Sequence, residues 1–184
     1  MQVIFVSIII PSYNNKNSLE KTIASLCNQT YSKDKYEIIV VDDGSTDSTQ
    51  QWIDSKRQKI SCNMRYFFQK NKGPAAARNL GIKYAQGDIV ALIDSDCIAS
   101  SGLIEEIIKG YDSEKIAGIG GTIRAKPTSS RVSKYCAYIK MNEQPLIGKT
   151  GIEYLITGNA SFRKSCLNRV GNFDDLYNFA GGED

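Results

Sequence analysis

Glu37-Ile-Ile-Val-Val-Asp-Asp-Gly-Ser-Thr-Asp-Ser48 is the stretch whose reading decides the fold. Glu37 to Val41 is short, apolar and β-branched, the composition of a strand covered on both faces. The polar run Asp42-Asp43-Gly44-Ser45 forces a turn, and Ser48 with Gln51 has the spacing of a capping box that opens a helix through Trp52 and Ile53. Strand, turn and helix follow one another within a few residues.

The same unit recurs on either side. Upstream, Val6 to Ile10 is an apolar strand ended by Pro11; Asn17 is an N-cap candidate with Glu20 three residues on, and Leu19, Ile23, Leu26 and Cys27 share one helical face. Downstream, Arg65 to Phe68 reads as a third strand. Gly73-Pro74 starts a helix with proline at its permitted first position, Ala77, Leu80, Tyr84 and Ala85 line its inner face, and Gly87 stops it. Ile89 to Ile93 is a fourth strand, followed by Leu103, Ile107, Ile108 and Tyr111 at helical spacing. This alternation over residues 1–112 predicts an α/β fold with a mostly parallel central sheet and helices on both faces. Beyond Gly118 the pattern weakens: Ile116 to Ile123 is a candidate strand and Lys126 to Ser133 a polar loop.

Composition narrows the chemistry. Lys and Arg exceed Asp and Glu by only three and form no block, so nothing points to nucleic-acid binding or a polybasic membrane surface. Histidine is absent, which removes imidazole bases and imidazole metal ligands together. The five cysteines, Cys27, Cys62, Cys97, Cys136 and Cys166, are widely spaced and contain no CxxC pair, arguing against a zinc site or a disulfide framework; a reducing cytoplasm fits best. Met1 to Pro11 reads as a buried strand rather than a signal peptide, and no stretch approaches a membrane span, so any membrane contact, such as at the inner face, is expected to be peripheral.

Acid–base and metal chemistry must therefore come from carboxylates. In a parallel α/β sheet, ligands bind beyond the carboxyl ends of the strands, where Asn14, Asp42-Asp43 and Asp94-Ser95-Asp96 all fall. Asp94 and Asp96, two positions apart on an extended segment, are expected to point to the same side and meet one divalent cation; the alternative is a pair of aspartates capping a loop. Hard oxygen ligands favour Mg²⁺ or Mn²⁺, with a diphosphate completing the shell. Asp42 and Asp43 fit either an Asx-turn or a carboxylate that accepts from a base or ribose, and one of them can cap while the other faces the cleft. Lys70 to Asn79 places small residues, two lysines and Arg78 around a helix start, suited to a phosphate or to an ordinary solvated N-terminus. Neither a GxGxxG nor a Walker A sequence occurs.

Ser7-Ile-Ile-Ile-Pro-Ser-Tyr-Asn14, Val40-Val-Asp-Asp-Gly-Ser-Thr-Asp47, Gly73-Pro-Ala-Ala-Ala-Arg-Asn-Leu-Gly81, Asp94-Ser-Asp96, Thr157-Gly-Asn-Ala-Ser-Phe-Arg163 and Gly181-Gly-Glu-Asp184 stand in order along nearly the whole chain. Together they resemble family 2 glycosyltransferases of the GT-A nucleotide-diphospho-sugar transferase fold. The resemblance implies a single domain over 1–184, with 1–112 as the nucleotide-binding half and 113–184 as the acceptor-side half. It implies an inverting, metal-dependent transferase that moves a sugar from a nucleotide-diphosphate donor, UDP favoured, to a saccharide or lipid-linked hydroxyl in polysaccharide or glycoconjugate synthesis. By the same resemblance Pro11 and Tyr13 border the nucleotide, with Tyr13 packing on the base. Asp43, with Asp42 alongside, binds the base, and Arg78 faces the nucleotide. Asp94, Ser95 and Asp96 hold the diphosphate and a Mn²⁺ or Mg²⁺ ion, Asp96 coordinating it directly. Gly158 and Asn159 line the sugar pocket, and Asp184 is the base, with Glu183 its neighbour.

Family members usually continue past the Glu-Asp pair with a helix that closes the acceptor side. A chain ending at Asp184 is therefore expected to be a piece of a longer protein that binds donor better than it transfers sugar. Two rivals compete with this reading. A non-catalytic nucleotide-sugar-binding domain would be indifferent to Asp184, and a sugar-1-phosphate nucleotidyltransferase would want a Gly-rich basic signature where this chain has Pro11-Ser-Tyr-Asn-Asn-Lys16.

Overall fold

A computed structural model describes residues 4–57, 60–124 and 155–175. Six strands form one sheet: β1 (Val6–Ser12), β2 (Tyr36–Asp42), β3 (Met64–Phe68), β4 (Ile89–Ile93), β5 (Gly118–Gly120) and β6 (Asn159–Arg163). Their order is β3-β2-β1-β4-β6-β5; the first four strands run parallel, and β6 lies antiparallel between β4 and β5. The helices are α1 (Lys16–Cys27), α2 (Thr49–Lys56), α3 (Pro74–Tyr84), α4 (Leu103–Gly110) and α5 (Lys164–Val170).

Strand alternation sorts the core into two layers. Val6, Ile8 and Ile10 of β1 face Leu19, Ile23 and Leu26 of α1, Ile53 of α2, and Ile104 and Ile107 of α4. Ile9, Ile39, Val41, Val90 and Leu92 point the other way, onto Ala77 and Ile82 of α3 and Leu167 of α5. The connections explain the division. From β1 through β3 the chain moves outward in one direction, then crosses back over β2 and β1 to lay down β4. A right-handed crossover in the reverse direction must carry its helix on the opposite face, which is where α3 lies.

Several local expectations change. The first N-cap is Asn15 rather than Asn17, and it makes no side-chain cap. Ser48 sits in left-handed backbone (φ 64°) without a capping bond, so the expected box with Gln51 does not form. Asp47 does the work instead, accepting from the Thr49 amide at 3.2 Å and the Thr49 hydroxyl at 2.6 Å. The strand expected over Ile116 to Ile123 shortens to Gly118–Gly120. Cys27 and Cys62, 35 positions apart, are joined by a disulfide, correcting the expectation that cysteine spacing argues against one: the fold brings the end of α1 beside the approach to β3. Cys97 and Cys166 are free.

Gly87 follows α3 because of space. A Cβ there would stand 2.6 Å from the Ser7 amide nitrogen and 2.7 Å from the Phe5 carbonyl oxygen. This close approach belongs to a buried polar knot at the edge of the sheet remote from the loops that follow β1, β2 and β4. The Glu37 carboxylate, fully buried, accepts from the Ser7 hydroxyl (2.7 Å), the Gln86 amide (2.8 Å) and the Arg65 guanidinium (3.0 Å), which also donates to the Tyr84 carbonyl (2.9 Å). The knot ties β1, β2, β3 and the end of α3 together. Replacing Glu37 with alanine leaves the Ser7, Gln86 and Arg65 donors without this acceptor and is expected to lower stability by roughly 3 kcal/mol. Urea denaturation should show a lower midpoint at an unchanged slope.

Candidate functional site

The opposite edge, at the carboxyl ends of β1, β2 and β4, holds a cleft of about 650 Å³. Strand order reverses between β1 and β4; the loops after β1, β2 and β4 lead to α1, α2 and α4 on one face of the sheet, whereas the loop after β3 leads to α3 on the other, and the crevice opens between them. Pro11, Ser12, Tyr13 and Asn15 enter it from the β1 end, Asp43 from β2, Asn71, Gly73, Pro74, Ala77 and Arg78 from the start of α3, and Asp94, Ser95 and Asp96 from β4.

The two aspartates at the end of β2 divide their tasks. Asp42 is buried; one oxygen accepts from the Ser45 amide at 2.8 Å and the other from the Tyr66 hydroxyl at 2.7 Å. Burial, together with the bond to Asp42, holds the Tyr66 phenol far above its ordinary pKa. Asp42 thus braces the turn and does not line the cleft. Asp43 does line it, though its oxygens are also engaged: Oδ1 accepts from Gln69 Nε2 (2.7 Å) and the Lys72 amide (2.8 Å), and Oδ2 from the Gly73 amide (2.9 Å). These bonds fasten the 69–73 segment, where Gly73 has φ 90°, a value suited to glycine, and feed the chain into Pro74 and α3. Lys70 and Lys72 are exposed and take no part in the lining.

The β1–α1 loop is fixed to the β2–α2 loop by side chains. Asn14 has φ 49°; its amide donates to Ser45 Oγ (2.8 Å) and its Oδ1 accepts from the Thr46 amide (2.7 Å). The Lys16 amide donates to Asp47 Oδ2 at 2.9 Å. Burial acts against the charge on Asp47, but the bonds from Thr49 and Lys16 outweigh it and lower its pKa. Between these fixed points Tyr13 stands 52% exposed at the rim, its ring available to a flat ligand.

Beyond β4 the expected geometry is corrected. Asp94 and Asp96 do not continue the strand; the Cys97 amide donates to the Asp94 carbonyl at 3.1 Å, closing a turn. Strand alternation therefore is not what brings the two carboxylates to one cleft; the turn does. The buried Arg78 guanidinium approaches Asp94 Oδ1 at 3.5 Å and lies 5.9 Å from the Phe173 ring centre. On the other side of Asp94, a Cβ added to Gly158 would sit 2.8 Å from Oδ2, so the missing side chain leaves the carboxylate its place. Asn159 turns from the cleft to the edge of β5, donating to the Thr122 carbonyl at 3.2 Å. Burial, then the charges of Asp94 and Asp96, push the Cys97 thiol up to about 11, so it stays protonated at neutral pH.

Two carboxylates at a solvent-accessible turn suit a hard divalent cation, and among the described residues no group of three or more His, Cys, Asp or Glu gathers. Such a pair leaves coordination positions for the oxygens of a diphosphate. Glu183 and Asp184 lie outside the described residues. Asn15, Ser12 and Asn71 border the cleft without having been singled out by sequence; only Asn15, as a polar residue at a helix start, carried a usable signal.

Known proteins resemble this chain in sequence and in fold. The sequence model of glycosyl transferase family 2 matches residues 7–171. Glycosyltransferase AglE of Haloferax volcanii is 29% identical over 182 residues, which is 97% of this chain and 59% of AglE. The mannosyltransferase PcManGT from Pyrobaculum calidifontis, solved in complex with GDP-Man and Mn²⁺, superposes with a TM-score of 0.74 at 21% identity, covering 95% of this chain and 49% of that one. TarS 1-349 of S. aureus in complex with UDP-GlcNAc gives 0.69 at 21% identity, covering 92% and 48%. The fold is that of the GT-A glycosyltransferases, and the chain spans about half the length of these proteins.

Asp43 also makes the site mechanically testable. Asp43→Ala removes the acceptor of the Lys72 and Gly73 amides, and hydrogen exchange at those two amides is expected to rise at least about tenfold as the start of α3 loosens. Exchange at the β4 amides should stay slow.

Proposed function

Because the chain belongs to glycosyl transferase family 2, we propose that its cleft binds a nucleotide-diphosphate sugar, UDP-sugar foremost, and that the whole protein transfers the sugar with inversion to a hydroxyl acceptor. The observation that carries this reading is the convergence of Tyr13, Asp43, Arg78, Asp94 and Asp96 on one cleft at the strand order reversal.

In this reading Tyr13 covers one face of the base at the rim. Asp43 holds the 69–73 segment in shape and offers its remaining acceptor capacity to a base or ribose donor, while Asp42 serves only the turn. The diphosphate enters between the start of α3 and the Asp94–Asp96 turn, with Asp94 and Asp96 as the protein's ligands to Mn²⁺ or Mg²⁺. Such an ion would offset the negative charge that builds on the leaving diphosphate. Arg78, close to Asp94 Oδ1, helps to orient that carboxylate. Gly158 gives it room. By resemblance alone, Asp184 with Glu183 receives the proton of the acceptor hydroxyl as it attacks the anomeric carbon from the side opposite the diphosphate, which gives inversion in one displacement. The acceptor is a saccharide or lipid-linked hydroxyl in polysaccharide or glycoconjugate synthesis. No described helix is long and apolar enough to cross a membrane; in this reading a membrane-borne acceptor is met at the inner face.

Calorimetric titration with UDP and with GDP, each with and without Mn²⁺, tests the reading against an Asp96→Ala variant. One nucleotide is expected to bind at least roughly tenfold more tightly with metal, and the variant to lose that gain. Binding that ignores both metal and Asp96 would overturn it.

A further inference from the structure

Helix α1 makes hydrogen bonds that its position in the fold does not require. Asn15, Thr22, Ser25 and Gln29 follow one another at intervals of seven, three and four, a single stripe that starts at the residue before the helix and ends one residue past its C-cap Asn28. All four bond to the irregular segment between β4 and α4. Asn15 Nδ2 donates to Ser95 Oγ at 3.0 Å, and Thr22 Oγ1 to the Ser95 carbonyl at 2.9 Å. Farther along, Ser25 Oγ accepts from the Ala99 amide at 3.0 Å, and Gln29 donates to the Ser100 carbonyl at 2.7 Å.

Thr22 is the unusual member. It is fully buried in the middle of α1, beside Leu19, Ile23 and Leu26. A threonine in that position ordinarily returns its proton to the carbonyl four residues earlier. Here the Ser18 carbonyl is 3.2 Å away and the Ser95 carbonyl 2.9 Å, so the shorter contact reaches out of the helix. The Ser95 carbonyl belongs to the peptide plane that joins Ser95 to Asp96. Fixing that plane fixes the direction in which Asp96, itself exposed, leaves the backbone.

We propose that Thr22 is a positioning residue for Asp96: its buried hydroxyl holds the Ser95–Asp96 peptide so that the exposed carboxylate is presented to the cation and diphosphate without ordering at the moment of binding. The inference rests on the donor-site reading above. Ser25 and Gln29, at the far end of the stripe, secure the approach to α4 and have no share in this role.

The test titrates Mn²⁺ and UDP together into the wild type, Thr22→Val, Thr22→Ser and Gln29→Leu, with thermal unfolding of each. Thr22→Val keeps shape and removes the donor; it should weaken metal-dependent binding about tenfold, while Thr22→Ser stays within about twofold of wild type. Gln29→Leu should lower Tm and leave binding unchanged, separating position from stability. Should the valine variant not fold, Thr22→Ala removes the same hydroxyl and carries the same expectation. Wild-type affinity in a hydroxyl-deleted variant, or a loss that merely tracks Tm across all variants, overturns the inference. A wild type without metal-dependent nucleotide binding would remove the donor-site reading and this inference with it; wild-type binding matched by Thr22→Val removes this inference alone.

Discussion

β1 has apolar residues at Val6, Ile8, Ile9 and Ile10, all without solvent exposure, and such a strand is stable only when both faces and both hydrogen-bonding edges are covered. Pairing with β2 on one edge and β4 on the other satisfies the edges. Covering both faces then requires helices above and below, and the handedness of parallel connections allocates α1 and α2 to one face and α3 to the other. The crevice at the carboxyl end follows from that allocation. The loops after β1, β2 and β4 leave toward the α1 face and the loop after β3 toward the α3 face, and the space between them stays open.

A crevice made this way is lined by loops, and loops carry backbone groups that no ladder satisfies. The acidic residues of the site answer that need first. Asp42, Asp43 and Asp47 each accept at least two hydrogen bonds from neighbouring backbone or side chains. The structural and functional readings of an aspartate at a strand end are therefore not exclusive. At Asp43 they coincide in one side chain, whereas Asp42 is taken up entirely by the turn and Tyr66.

This also explains how far the sequence could be read. The parallel core was legible because β-branched runs such as Glu37 to Val41 and Ile89 to Ile93 have no competing use, and the glycine–proline start of α3 is dictated by local backbone geometry. β6 was not legible: Asn159-Ala-Ser-Phe-Arg163 has only modest strand preference and is extended because β4 and β5 offer their edges to it. Gly118–Gly120 is a strand for the same tertiary reason. The helix starts were legible only in part: Ser48 is the residue before α2 as expected but makes no side-chain bond, the start of α1 moves from Asn17 to Asn15, and Asp47 accepts from the first amides of both helices instead. The Cys27–Cys62 pair was hidden because proximity across 35 positions is a property of the packed helix and strand, not of spacing.

The absence of histidine gives the Asp94–Asp96 turn its character. Two carboxylates two residues apart on an accessible turn repel each other, and after burial it is their negative charge that holds the neighbouring Cys97 thiol protonated. Arg78 offsets part of it from the buried side, but a guanidinium 3.5 Å from Asp94 is a loose partner rather than a closed bidentate pair. In the donor-site reading, the negative charge of this pair favours the binding of a cation. The backbone must then resist the repulsion that would turn the carboxylates apart. Bonds from α1 to Ser95, at its hydroxyl and its carbonyl, apply that resistance to the residue between the two charges. In the donor-site reading, a turn ordered beforehand by these bonds spares the cost of ordering at the moment of binding, so the rigidity of α1 becomes part of the affinity proposed for the cleft.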